Sequence, residues 1–399
     1  MDKFLEGSLK DRIYVHLERQ GPIRDSQHGF VHEKSCLSNL INFLKRRQRS
    51  QMVKKVLGTR AFIRGDFCGN SMAIPPPDPK FVLRGTGASV NTLHFCCSDQ
   101  EDWNPILFSG SANGQIHIWN LKTHRADKVL ESHNKQSVLW IHTLQGRNGL
   151  ISQGRDAAVS TWDLSEGRTA VIDSIPLDSY GFCQCSLMQE GVGHYLLASP
   201  GSTSSEVKIL DLPKKTPVWV LKPPADAKLG MPMCLKLWQP PSGSRPLLLV
   251  GYENGSLTLW DLSEKKMLSH LACHNEPIMC LDFDPERAKG ISGSSEKLLS
   301  SWGLDNQQNL KLQNTLTLVN AGIADTCIRQ DKKILATAGW DHRIRIFGWK
   351  KLKPLAVLQY HIASVHCVTF SDHVVPSERL MAAGSKDQRI SLWSVYNKP

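Results

Sequence analysis

The chain has 399 residues, 41% of them hydrophobic, and a formal net charge of +11. That charge is uneven: residues 1–77 hold 14 Lys and Arg against 7 Asp and Glu, and the rest of the chain holds 34 against 30, so the larger part is too close to neutral to argue for a nucleic-acid-binding surface. The cysteines number 11, an odd count whose close pairs are Cys96 with Cys97 and Cys183 with Cys185; neither pair has metal-ligand spacing, no secretory signal opens the chain, and no apolar run approaches a membrane span. Such usage points to a reducing compartment in which thiols act as small buried apolar groups.

Residues 1–77 carry no copy of the pattern that fills the remainder. Leu37, Leu40, Ile41 and Leu44 share one helical face, which ends in the basic run 45–49 and is lost at residues 48–51, so a short, partly helical or disordered extension without a sustained heptad is predicted. The basic run reads as a solvated helix end or as a nuclear-localisation signal. Residues 25–30 and 34–40, in a stretch spanning roughly 9–45, resemble a block in reverse transcriptases of non-LTR retrotransposons. The block bearing that family's catalytic aspartates is missing from the chain, and metal-dependent polymerisation needs those carboxylates, so the segment reads as an inert transposon-derived exon or as a stretch wrongly joined to the gene. The prolines at 75, 76, 77 and 79 predict a stiff linker.

From about residue 78 one phrase recurs: an apolar run, a small-residue turn, a polar turn residue, and an alternating strand closed by a bulky side chain. The closing positions are Trp119, Trp162, Leu210, Trp260, Trp302, Phe347 and Trp393, spaced by 43, 48, 50, 42, 45 and 46 residues. In six copies the polar turn residue (Asn113, Asp156, Asn254, Glu296, Asp341 or Asp387) lies six positions earlier. Alternation places every second side chain on one face of a sheet, and a unit of this length cannot bury that face alone. The third copy is the least regular, and residues 213–238 read as a long proline-rich connection, either loose or ligand-binding. Residues 81–85 form a lone strand before the first full copy, while the last copy ends one strand short. The lone strand is expected to latch the ring by completing the last sheet.

Seven in-phase copies resemble the WD-repeat family. The resemblance implies an all-β fold, a seven-bladed propeller over residues 78–399, with residues 1–77 as a separate extension. It also implies a buried network in each blade that joins a His, a Ser or Thr, the turn carboxylate and the Trp. Blade two matches in full with His133, Ser152, Asp156 and Trp162; blade five offers His274, Ser292, Glu296 and Trp302. Blade seven has His361, Asp387 and Trp393 but Ala383 where the hydroxyl belongs, and blade six has Thr337 and Asp341 with Phe347 and no His. A His–carboxylate pair that repeats with the fold is a structural device rather than a catalytic dyad.

Residues 213–238, 339–345 and 383–393 look like the guanine nucleotide-binding protein beta-subunit-like protein 1 family, over most of residues 76–396. That resemblance implies a cytoplasmic and nuclear adaptor linked to the co-chaperone machinery that matures phosphatidylinositol-3-kinase-related kinases, hence to the DNA damage response, and in fungi to an ASTRA-type assembly. The alternatives are a G-protein β-like signalling subunit, weakened because the N-terminus lacks a coiled-coil helix, and a chromatin- or histone-binding propeller. No nucleophile elbow, phosphate loop, metal cluster or paired acid stands outside the repeats. The chain therefore reads as a non-enzymatic, monomeric ring with protein partners and with no cofactor, metal or small-molecule substrate. The residue before each polar turn position falls between a blade's second and third strands, on loops that the family resemblance places at one mouth of the ring. Arg155, Glu253, Trp340 and Lys386, with His342 and Arg343 beside Trp340, are the candidate partner-binding residues, and the basic members suit an acidic segment. Trp340 has a competing reading, packing against the neighbouring blade.

Overall fold

The computed structural model describes residues 77–397 apart from 97–105, 145–147, 192, 241–244 and 374. Met1–Ala73 and Ile74–Pro399 separate into two units. The expected helical face at residues 37–44, the basic run and the transposon-like block all lie outside the described residues. Apart from short 3₁₀ turns, the described residues form strands and loops.

Seven four-stranded antiparallel sheets make the blades of a propeller. Blade two is representative: Val138–Leu144 is the inner strand, Gly149–Gly154 the second, Ala158–Asp163 the third and Val171–Pro176 the outer. The second and third strands are buried on both faces, whereas the outer strand exposes most of its residues. This is the burial expected of a sheet clamped between two others with its outer edge in water.

The apolar core is divided among the junctions between neighbouring blades, and each anchor fills the junction with the blade before it. Trp162 packs with Phe108, Ile116 and Ile118 of blade one, Trp302 with Leu249 and Leu259 of blade four, and Trp393 with Ala336 and Ile346 of blade six. Leu210 does the same at the junction of blades two and three. The repeat spacing is thus the spacing of wedges around a ring, and a Trp such as Trp162, 1% exposed, contributes about 3–5 kcal/mol by its burial.

The last blade contains Val365–Phe370, Met381–Ser385 and Arg389–Trp393, and Phe81–Arg84 pairs antiparallel with Arg389–Trp393 as its outer strand. Leu83 lies opposite Ile390 and shares with it and Leu392 the core that joins blade seven to blade one. The lone N-terminal strand is therefore the latch, and no open edge remains beside Trp393.

Blade three departs from the sequence reading. Within residues 213–238, Thr216–Leu221 is the outer strand of blade three and Pro232–Trp238 the inner strand of blade four, which leaves a loop of residues 222–231 between them. Pro217 is tolerated because an outer strand needs few N–H donors, and it sits at a register shift opposite Leu210.

Polar staples also cross the junctions. Asn91 donates to Ser137 (2.6 Å), Gln153 binds the backbone of Cys183 and Cys185, and Leu237 N–H donates to Ser186. Lys236 donates to Asp282 (2.9 Å), Ile328 N–H to Asp282 (2.8 Å) and Val368 N–H to Asp325 (2.9 Å). Burial pushes thiols such as Cys183 and Cys280 well above their ordinary value, so these are unreactive space-fillers.

Candidate functional site

Two sets of loops meet at one mouth of the ring. Turn loops join second to third strands, and crossing loops join an outer strand to the next inner strand. The turn loops that carry the candidate residues hydrogen-bond to crossing loops through their backbone: Arg155 N–H donates to Ser137 (2.8 Å), Glu253 to Met231 (3.0 Å), Trp340 to Gly322 (3.0 Å) and Lys386 to Ser364 (2.9 Å).

Below these loops lie the buried networks. In blade two, Trp162 donates to Ser152 Oγ (3.0 Å), which lies 2.9 Å from His133 Nε2, and His133 Nδ1 lies 3.0 Å from Asp156. The chain of donors is self-consistent if Nδ1 carries the imidazole proton and Ser152 donates to Nε2. The ring lies flat on Gly154, where an added Cβ would come within 2.3 Å of His133, so a side chain there would evict the imidazole. Blade five repeats the arrangement with Trp302, Ser292, His274 and Glu296, at 3.2, 2.9 and 3.3 Å. Burial holds the His274 imidazole below its ordinary value, against the pull of the Glu296 carboxylate.

Two blades differ from expectation. In blade seven the hydroxyl missing at Ala383 comes from its cross-strand partner Ser391, whose Oγ lies 2.8 Å from both Trp393 Nε1 and His361 Nε2, while His361 Nδ1 meets Asp387 at 3.0 Å. In blade six Thr337 does not join a network: its hydroxyl is buried without a hydrogen-bond partner. Phe347 has no N–H to offer, and Arg345, across the strand from Thr337, grips Asp341 with both terminal nitrogens (3.0 and 2.5 Å), with Asn320 donating to the same carboxylate at 2.8 Å. Thr258 serves Trp260 from the third strand as Ser391 serves Trp393. The signal that would have found both is a hydroxyl two positions before the anchor.

The candidate partner-binding residues all lie on or beside turn loops, in differing environments. Arg155 stacks its guanidinium 4.3 Å over the ring of Phe182. The Glu253 carboxylate accepts from Met231 N–H at 3.2 Å, which ties it to the crossing loop. Trp340 is partly buried, and its indole lies against Gly322 on the crossing loop that leads into blade six. An added Cβ at Gly322, whose φ is +91°, would come within 2.1 Å of the indole, so glycine is required by both backbone and space. His342 is exposed with a left-handed φ of 69°, while Arg343 and Lys386 are partly exposed.

Sequence reasoning missed a second feature of this mouth. Tyr180, Phe182, Met231, Val319 and Ile362, all on crossing loops, are exposed large hydrophobic residues. Lone apolar residues inside polar loops have no periodicity to announce them. Most of the remaining exposed ones, such as Val171 and Leu312, lie on outer strands.

The sequence matches the family described as WD domain, G-beta repeat, over residues 77–120 and 352–394. It is 57% identical to guanine nucleotide-binding protein subunit beta-like protein 1 of Mus musculus, over 82% of this chain and 98% of the relative. It is 27% identical to ASTRA-associated protein 1 of Verticillium alfalfae, over 80% of this chain and 93% of the relative. The protein of that name in Schizosaccharomyces pombe is 26% identical, over 80% and 99%. With seven blades in phase and this degree of identity across nearly the whole of the mouse relative, the chain belongs to the WD-repeat family of guanine nucleotide-binding protein subunit beta-like protein 1.

Proposed function

We propose that the ring is a non-catalytic scaffold that docks protein partners through the loop mouth, acting as a monomer in the cytoplasm and nucleus. One observation carries the reading: the repeated His, Ser, carboxylate and Trp groups are spent on one another inside the blades, whereas the two most exposed large apolar side chains among the described residues, Val319 and Ile362, stand on crossing loops of one mouth. Relatives of this chain are named ASTRA-associated protein 1. That name favours an ASTRA-type assembly as partner, and through it the co-chaperone machinery of phosphatidylinositol-3-kinase-related kinases, over a G-protein γ subunit or a histone tail.

The reading is tested with tagged full-length protein expressed in cells depleted of the endogenous chain. The wild type should co-purify kinase-maturation components, and Trp340→Ala combined with Lys386→Glu should lose them while its melting temperature stays within a few degrees. Undiminished capture by that variant would remove its part of the mouth from the interface.

A further inference from the structure

Four loops of blades six and seven form one connected platform. Loop 340–342 is held to loop 318–322 by Trp340 N–H on Gly322 and by Asn320 on Asp341; Ser364 Oγ donates to the Trp340 carbonyl, Lys386 N–H to Ser364, and Ile362 N–H to Asp387. On this platform stand Val319 and Ile362, 75% and 74% exposed, above every other large hydrophobic side chain among the described residues; the next, Ile172 on an outer strand, is 63% exposed. Partly exposed Trp340 belongs to the same platform.

The charge on these loops and at the strand starts they lead into is mainly basic, although Glu296 of the adjoining turn loop, which meets His274 and Asn275 N–H, lies beside Gly322. Arg343, Lys386 and Arg389 contribute three cations, with exposed His342 among them. The carboxylates in these loops are Asp341 and Asp387, and both are consumed from within, Asp341 by Arg345 and Asn320, Asp387 by His361 and the N–H groups of Ile362 and Arg389.

We infer that this platform, resting on the docking mouth proposed above, binds an acidic protein segment that carries a bulky aliphatic or aromatic anchor. The apolar surface supplies burial and the basic side chains select the charge. The chain's own extension is the wrong occupant, because residues 1–77 hold 14 basic against 7 acidic residues. A second copy would bring the same basic platform. A lipid surface fits less well, because exposed Asp226 and Glu276 on the crossing loops of the same mouth would meet the anionic headgroups.

The probe is a phage-displayed library of random dodecapeptides, panned on the immobilised full chain with counter-selection on a full-length Val319→Ser/Ile362→Ser protein. Enriched peptides should be net acidic with at least one bulky apolar residue. As synthetic peptides they should bind Ile362→Ser and Lys386→Glu proteins, matched to the wild type in melting temperature, about tenfold more weakly. Neutral or basic peptides, equal binding by the variants, no enrichment, or sedimentation with phosphatidylserine vesicles that these substitutions abolish would each overturn the inference. In the capture assay above, loss by Arg155→Glu/Phe182→Ser with retention by Ile362→Ser would keep the mouth and sink this platform. Retention by both would sink the docking mouth as well.

Discussion

At the scale of the residue, the hydroxyl that joins Trp to His is interchangeable between two strands. Ser152 and Ser292 supply it from the second strand, Ser391 from the third, and the two positions are cross-strand partners. Ser391→Ala should orphan two buried groups, the Trp393 indole N–H and His361 Nε2, and cost about 1–3 kcal/mol. Adding Ala383→Ser should restore most of the loss, since blades two and five accommodate Ser at both positions. Paired urea melts of the single and double variants check this; no recovery in the double variant would show that the two positions are not equivalent. Thr337 shows the opposite case, a hydroxyl left buried and unpaired because Phe347 and Arg345 replaced its partners.

At the scale of the element, inner strands are joined by carboxylates as well as by packing. Asp325 accepts from Val368 N–H in the next blade, and burial, together with the nearby Asp282 carboxylate, pushes it up to about 7 despite Lys236. Its ordinary value is 3.8, so between about pH 4 and pH 7 the unfolded chain releases this proton while the folded chain keeps it, and stability falls as pH rises through that window. Asp325→Asn keeps an acceptor for Val368 and removes the slope. Its melting temperature relative to the wild type should therefore rise by several degrees between pH 5 and pH 8; a difference independent of pH would refute the assignment. The latch makes a second prediction: Leu83, 1% exposed, fixes the outer strand of blade seven, so Leu83→Asp should free the edge of Arg389–Trp393 and cause aggregation on heating, visible by light scattering.

The sequence made most of these elements legible because a wedge such as Trp162 or Trp302 must recur wherever two blades meet, and its spacing survives substitution to Phe347 or Leu210. The latch was legible as a strand without a repeat of its own. Residues 213–238 were misread as a connection because their prolines mask strands, Pro217 on an outer strand and Pro232 at the start of an inner one. Of the mouth, Trp340 stood out as a large side chain in a polar turn. Val319 and Ile362 did not, because a single aliphatic residue in a loop has the same signature whether it is buried or exposed.

At the scale of the molecule, the ring is closed by packing and pairing within Ile74–Pro399. A protein beginning at Pro75 should match the full chain in solubility and in melting temperature, and a drop of many degrees by calorimetry would place part of the folded ring's support in the first 74 residues. The separation of roles is also global: the networks tie turn carboxylates into the blades, and the crossing loops carry exposed apolar side chains, the frame on which the proposed docking surface rests. Hydrogen exchange of the full chain, alone and with the protein it captures, tests this most directly. Slowed exchange in loops 318–322, 340–342, 360–364 and 386–388, with outer strands such as Val171–Pro176 unchanged, is the expected result. Protection confined to the outer strands or to the opposite end of the ring would contradict a docking mouth.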